Sequence, residues 1–354
     1  MKSKENLLNS FFSSSENPKY IYGINASAIE VFKKLKEKGI VFGGFIDKNT
    51  KETFFKKHPV LHSFESIEQD AIILSCDYGL EPVTTMREIR AKGIGFISIY
   101  EYYSFFNKTV PFYCWHNDFS AHYLENKEKY NNLTTILADS ISKQTLIKLV
   151  NFRINMDLSY MEDFVNNEEG MYFEPFLNLK EEGESFMDIG SYDGFSSMQF
   201  IKYCPDYSQI WCFEPANDLM TNVKQRLSKY DRITYMPYAA SDKDETLYFE
   251  LDGEQSMVTE SGSVEVQARK LDDIIDSKVT YIKMDIEGSE SKAIDGLRET
   301  IKKHHPRLAV SVYHRTGDIV DIFDQVMAIR NDYTIYLRHY KESFYDTVMF
   351  FIPQ

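Results

Sequence analysis

Two acids stand where consecutive strands should end. The run Phe186-Met-Asp-Ile-Gly-Ser-Tyr-Asp-Gly-Phe195 reads as a buried strand closing on Asp188 and a glycine-rich turn. Trp211-Cys-Phe-Glu-Pro215 reads as a second strand closing on Glu214. With a helix between them they make one βαβ unit, its polar groups at the carboxyl ends of neighbouring strands, where open α/β sheets bind ligands. The turn is Asp-x-Gly-x-x-Asp-Gly, with Gly190, Asp193 and Gly194 in place, not the Gly-x-Gly-x-x-Gly of dinucleotide sites. A pyrophosphate wants bare backbone N–H groups at a helix N-terminus, and carboxylates beside the turn would repel it. They suit a ligand carrying an ammonium, a sulfonium and a ribose diol, a combination found in S-adenosylmethionine.

A second group of reactive side chains lies further along. Tyr281-Ile-Lys-Met-Asp-Ile-Glu-Gly-Ser-Glu290 places Lys283, Asp285 and Glu287 at the end of another strand and in its exit loop, and Val310-Ser-Val-Tyr-His-Arg315 places His314 at the end of a further one. An alcohol that attacks a carbon must lose its proton to a base, and Asp285, Glu287 and His314 are the candidates. Imidazole has the right pKa for a proton acceptor near neutrality. Each has a plainer reading beside this one. Asp193 can cap a helix, Glu287 and Glu290 can complement a helix N-terminus for ~0.3–1 kcal/mol, Glu214 can be a loop acid fixed by Pro215, and a lone strand-end histidine is often structural.

The elements that must position these residues alternate in type. Tyr20–Gly23, Val41–Asp47, Ala71–Ser75 and Gly95–Tyr100 read as strands, with helical spacing over Ala28–Lys38 and Glu81–Lys92. That alternation predicts a small parallel sheet in a Rossmann-like first domain, residues 19–105, after a polar tail at 1–18. Residues 106–180 read as a mainly helical bridging segment, with Asp139 or Ser140 capping a helix that runs to Arg153. The second domain, 181–354, offers strands at Ser185–Ile189, Ile210–Phe213, Ile233–Met236, Thr280–Met284, Leu308–Tyr313, Thr334–Arg338 and Thr347–Ile352. Leu247–Leu251 and Val264–Ala268 read as an inserted hairpin. The final two strands are joined by the short polar stretch His339–Asp346, too short for a parallel crossover, so they should run antiparallel.

In 354 residues, 43% hydrophobic and 15% aromatic, the chain can bury two cores. Its net charge of −14 argues against nucleic acid, whose phosphates reward clustered Lys and Arg. The four cysteines, Cys76, Cys114, Cys204 and Cys212, show no paired or Cys-x-x-Cys spacing and read as thiols in a reducing compartment. With no leader-like start and no apolar run of ~18 residues, the expectation is a cytoplasmic protein without membrane insertion.

The order of motifs, including Ala239-Ala-Ser-Asp242 and Lys270-Leu-Asp-Asp273 between the acidic strand ends already described, resembles the FkbM family of S-adenosylmethionine-dependent methyltransferases over about residues 180–354. Residues 133–175, with Tyr172-Phe173, are similar to the lead-in of its two-domain members. The resemblance implies an α/β fold: a class I methyltransferase sheet of seven strands with an antiparallel terminal pair, beside a smaller Rossmann-like domain. It also implies that Asp188, Gly190, Asp193, Gly194, Glu214, Ala240 and Asp285 hold S-adenosylmethionine. Asp188 and Asp285 would then lie at the methionine end, Glu214 on the ribose and Ala239 and Ala240 beside the adenine. The family commonly carries an acid two residues before its histidine. Val312 stands there in this chain, which weakens an acid–histidine pair on that strand and any metal site built from it.

The activity so implied is O-methylation of a hydroxyl on a sugar, a glycoconjugate precursor or a related small molecule, with no metal. A homo-oligomer is compatible with it. An NAD-dependent sugar-nucleotide oxidoreductase or epimerase would need a full glycine fingerprint together with a Tyr-x-x-x-Lys pair, and the fingerprint is not present. A non-catalytic nucleotide-binding protein is the other alternative. Gly23-Ile-Asn-Ala-Ser-Ala28 has only its first glycine, so a nucleotide in the first domain competes with a scaffold role. The aromatics Tyr100, Tyr102, Tyr103, Phe105, Phe106, Phe112, Tyr113 and Trp115 read as core between domains or as a carbohydrate-stacking surface.

Overall fold

The computed structural model describes residues 4–13, 16–106, 119–252, 255–259 and 264–354. They fall into two compact units: 1–120 with 147–166 and 340–345, and 121–146 with 167–339 and 346–354.

The first unit begins with helix α1 (Lys4–Phe11), within the polar stretch that reads as a tail or a loose first helix; Leu8, Phe11 and Phe12 are buried. Strand β1 (Lys19–Tyr22) leads to α2 (Ala26–Glu37), and β2 (Gly44–Ile46), β3 (Phe54–Phe55), β4 (His58–Leu61) and β5 (Ile72–Ser75) follow. Helix α3 (Pro82–Ala91), β6 (Gly95–Ser98) and α4 (Ile99–Phe105) complete it. The sheet order is β3-β4-β2-β1-β5-β6, parallel except for β3 on β4. Strand β5 is buried at every position, as an apolar run should be when helices cover both faces. Asn25, which replaces a fingerprint glycine, caps α2 by accepting from the Ala28 N–H and donates its amide to Cys76 O. Its side chain therefore fills the turn that a nucleotide loop would leave bare. Tyr100, Tyr102 and Tyr103 are buried inside this unit, with the hydroxyls of the latter two on Glu30. Phe112, Tyr113, Trp115 and Cys114 lie outside the described residues.

The chain continues through α5 (Phe119–Glu125), α6 (Lys127–Ile136) and α7 (Ser140–Asn155). Asp139 accepts the Ser142 N–H at the start of α7, as a capping residue should. The second unit's strands and helices are β7 (Ser185–Ile189), α8 (Phe195–Tyr203), β8 (Gln209–Phe213), α9 (Asn217–Arg226), β9 (Ile233–Met236), β10 (Ala239–Ser241), β11 (Glu245–Asp252), β12 (Gln255–Thr259) and β13 (Val264–Lys270). After these come β14 (Tyr281–Met284), α10 (Glu290–Gly296), α11 (Arg298–His304), β15 (Arg307–Ser311), α12 (Asp318–Ile329), β16 (Tyr333–His339) and β17 (Thr347–Pro353).

Seven of these strands form one sheet in the order β16-β17-β15-β14-β7-β8-β9. Strands β15, β14, β7, β8 and β9 run parallel, and β17 is antiparallel to both β15 and β16. From β7 the chain moves outward to β8 and β9, then returns to β14 on the other side. The gap between β7 and β14 is thus a topological switch point, the place where such sheets hold ligands. Phe186 of β7 stacks on Phe200 of α8 at 4.5 Å and on Tyr281 of β14 at 5.1 Å, fixing the strands beneath that point.

Two details differ from the sequence reading. The inserted hairpin is part of a second sheet, β10-β13-β11-β12, in which β12 pairs with β11 and β10 runs parallel to β13. The stretch joining β16 to β17 is not simply a polar turn, since residues 340–345 cluster with the first unit. There Tyr340 and Phe344 are buried, and the Glu342 carboxylate accepts from the Thr84 N–H and hydroxyl.

Candidate active site

The turn after β7 is built around a close backbone approach. Gly190 has φ +82°, and a Cβ there would lie 1.9 Å from the Asp285 carbonyl oxygen. Gly194, also at φ +82°, caps α8 against Val223 of α9. Both glycines are needed for their backbone conformation, and only Gly190 faces the cavity described below.

Asp188 is fully buried. Its Oδ2 accepts from the Ser196 and Ser197 hydroxyls at 2.6 Å each, and its Oδ1 lies 3.3 Å from Lys283 Nζ. The register explains this meeting, because Asp188 of β7 is paired with Lys283 of β14. Lys283 also donates to the Gly190 carbonyl. Asp188 thus anchors the turn from behind and does not line the cavity, which differs from a direct contact with the methionine end of a cofactor.

Glu214 sits at the end of β8 with 7% exposure. Its two oxygens accept the N–H groups of Ala216 at 2.9 Å and Tyr192 at 3.1 Å. Each carboxylate oxygen has a second acceptor direction, so a diol can still be bound. Burial raises the Glu214 carboxyl above its usual range and outweighs the lowering by those two N–H groups and by Lys283. Tyr192 holds φ +52° with its ring exposed, a conformation rare for a side-chain-bearing residue.

Opposite lies a buried ion cluster. His314, 3% exposed, has Nδ1 3.0 Å from Glu290 Oε1, and Nε2 3.5 Å from Asp285 Oδ1 and 3.6 Å from Glu287 Oε2. Burial alone would lower its pKa, but Glu290, then Asp285 and Glu287, outweigh that and raise it to about 10. The three neighbouring acids thus favour the protonated imidazole, and His314 stands behind the cavity lining. The acid missing at Val312, itself buried, is supplied by Glu290 from α10. Glu290 is held in turn by the N–H of Ile286.

Asp285 accepts from the Tyr172 hydroxyl at 2.6 Å. Burial pushes its carboxyl up, but His314 and Lys283, together with the Tyr172 and Ser311 hydroxyls, bring it below the usual range. Tyr172 stays a proton donor, since burial and the Asp285 charge raise its pKa well above that of an ordinary phenol. Glu287 takes φ +54° in the exit loop, where strain in a side-chain-bearing residue often marks function.

Asp285, Glu290 and His314 bring one potential ligand atom each within 4.8 Å of one another. Nothing in the 285, 290, 314 spacing announces such a cluster. Its Nδ1–Oε1 distance of 3.0 Å brings the imidazole against the Glu290 carboxylate.

A raised pKa makes a stability statement with a definite sign. The His314 contribution is complete below its unfolded value near 6.5 and is lost as pH rises towards 10. We expect the unfolding free energy to fall between pH 7 and 9.5, with a slope approaching about 1.4 kcal/mol per pH unit, and the melting temperature to fall with it. His314→Gln should start lower and be flatter. A wild-type melting profile that is level across this window would remove the charged histidine.

These walls enclose a cavity of about 690 Å³ at the switch point. Gly190, Asp193, Glu214, Ala240, Asp285 and Glu287 line it, whereas Asp188, Gly194 and His314 stand behind the lining. Asp193 is paired with Arg226 at 2.5 Å and accepts the Phe195 N–H. Tyr172, Phe173, Tyr238 and Tyr313 complete the wall without having been expected as site residues. Tyr313 could have been suspected from its place beside His314, but only tertiary contact brings in Tyr172. The donor set fits S-adenosylmethionine: a buried diol acceptor in Glu214, small Ala239 and Ala240, and carboxylates for a cationic ligand.

Residues 188–335 match the family model described as the Methyltransferase FkbM domain, meeting the resemblance read from the motifs. The 2-O-methyltransferase NoeI of Sinorhizobium fredii (strain NBRC 101917 / NGR234) is 26% identical over 151 residues, covering 35% of this chain. The chain spans 62% of the length of that curated relative. Methyltransferase FkbM from Methylobacillus flagellatus KT has a similar crystal structure, with TM-score 0.76 and 23% identity over 99% of this chain and 94% of the other. That likeness is one of fold. Sequence similarity and fold both lie with methyltransferase enzymes. No helix among the described residues is long and apolar enough to cross a membrane.

Proposed function

We propose that this protein transfers a methyl group from S-adenosylmethionine to a hydroxyl of a sugar or glycoconjugate precursor. The observation that carries the reading is the single cavity that holds Glu214 and Ala240 together with Asp285 and Glu287. The O-methyltransferase name of the relative NoeI points to the same reaction. In this reading the second unit is a class I methyltransferase domain. The first is a Rossmann-like layer, supported by its parallel β4-β2-β1-β5-β6 core.

When bound, S-adenosylmethionine supplies an electrophilic methyl carbon on a sulfonium whose departure as a neutral thioether needs no help. Glu214 holds the ribose hydroxyls, Ala239 and Ala240 leave room for the adenine, and Asp285 serves the cationic methionine end. Glu287, on the cavity wall, receives the proton of the attacking hydroxyl. His314, behind Asp285 and Glu287, favours the ionised form of Asp285. Holding the acceptor oxygen about 3 Å from the methyl carbon supplies several kcal/mol.

Glu214→Ala tests the cofactor half. Loss of a charged hydrogen-bond partner should weaken S-adenosylhomocysteine binding by about 1–3 kcal/mol, roughly 5- to 150-fold, in calorimetry. Wild-type protein should show no heat with NAD. An unchanged affinity in Glu214→Ala would remove the ribose assignment, and tight NAD binding in this cavity would favour an oxidoreductase.

A further inference from the structure

The charge around the cavity selects the acceptor. Among the described residues, six carboxylates line it: Glu168, Asp193, Glu214, Asp285, Glu287 and Asp346. Only Arg226 and Lys283 among the described lining residues oppose them. Both cations are engaged already: Arg226 pairs with Asp193, and Lys283 contacts Asp188 and the Gly190 carbonyl. His314 is buried behind the wall against Glu290. The N-terminus of α8 offers no bare anion cradle either, because the Asp193 carboxylate accepts the Phe195 N–H.

Phosphate sites are built the opposite way, from guanidinium forks, lysines or bare N–H groups at helix starts. Carboxylates instead accept charge-assisted hydrogen bonds from hydroxyl or ammonium groups. Asp346 lies close enough to Tyr172 and Tyr313 for its charge to raise both phenols, which places an acid on the same side as Asp285. Glu168 is exposed at the rim, where it meets an incoming ligand early.

We infer, resting on the methyl-transfer reading above, that the acceptor group entering this cavity is an uncharged or amino-bearing polyol and not a sugar phosphate, sugar nucleotide or uronic acid. Like-charge repulsion in a partly desolvated cleft disfavours an anionic acceptor, and the selection acts on entry as well as on alignment.

The test is transfer of tritiated methyl from S-adenosylmethionine into a sugar and glycan extract, followed by anion exchange. At least tenfold more label should appear in the unretained neutral and amino-bearing fraction than in the retained one. Label that is retained until phosphatase treatment releases it would overturn the inference while leaving methyl transfer intact. Label in neither fraction, with S-adenosylhomocysteine still bound in calorimetry, would sink the sugar-methylation reading and this inference with it. Glu168→Lys should move the label ratio at least threefold towards the retained fraction without altering S-adenosylhomocysteine affinity. An unchanged ratio would show that rim charge does not select. Equilibrium dialysis of labelled glucose 1-phosphate with S-adenosylhomocysteine present needs no turnover. Retention in the micromolar range would contradict the inference, and none is expected.

Discussion

Gly190→Ala should destroy cofactor binding and lower the stability of the second unit. The added Cβ would meet the Asp285 carbonyl oxygen at 1.9 Å and its carbon at 3.0 Å. Those are backbone atoms of a loop pinned by the Asp285 N–H to Ile189 O bond, so they cannot yield as a side-chain tip would. The left-handed φ adds about 1–2 kcal/mol for any L-residue. We expect a fall in melting temperature and at least a hundredfold loss in S-adenosylhomocysteine affinity. Gly39→Ala is the control, with φ +64° and no atom within 4 Å of its Cβ. It carries the conformational cost without the collision, and its affinity should be unchanged. Wild-type affinity in Gly190→Ala would mean that the turn does not shape the cofactor site.

Glu287→Gln should lower turnover by about 10²–10⁴, the range of general-base contributions, while leaving S-adenosylhomocysteine affinity near wild type. The amide keeps the shape of the side chain and removes its basicity. His314→Gln should act differently. Removing the imidazolium takes a positive charge from behind Asp285 and Glu287, so the acid limb of the pH–rate profile should move to higher pH. The loss of turnover there should be smaller than for Glu287→Gln. Full activity in Glu287→Gln would eliminate it as the base. A larger loss in His314→Gln, with an unmoved acid limb, would return that role to the histidine.

What could be read in advance followed the range of the signal. Gly190, Glu214 and the Asp285–Glu287 loop announce themselves because each is a local strand-to-loop pattern. The parallel strands were legible for the same reason, as short apolar runs bounded by turns. The surroundings of His314 are not legible in the same way, because they depend on Glu290 in another element and on burial that periodicity does not report. Asp188 was read as a ligand contact, yet its partners Ser196, Ser197 and Lys283 absorb it. Only the β7–β14 register reveals that last neighbour. Tyr172 is marked in the sequence only as part of a lead-in, with nothing local to give it a place in the site. Its importance comes from a hydroxyl that reaches Asp285 across 113 positions of sequence. The 340–345 stretch misled because its polar residues conceal Tyr340 and Phe344, which have a core to enter.

That stretch also bears on how the protein could be taken apart. The six segments of the two units alternate along the chain, which makes five passages between them. No single cut yields two fragments that each hold one whole unit and nothing of the other. A fragment starting at residue 181 would lack 121–146 and 167–180, including α6 and Tyr172, and would keep 340–345 with no first unit to hold it. Dissection would need at least a redesigned β16–β17 connection and a transplanted helical segment.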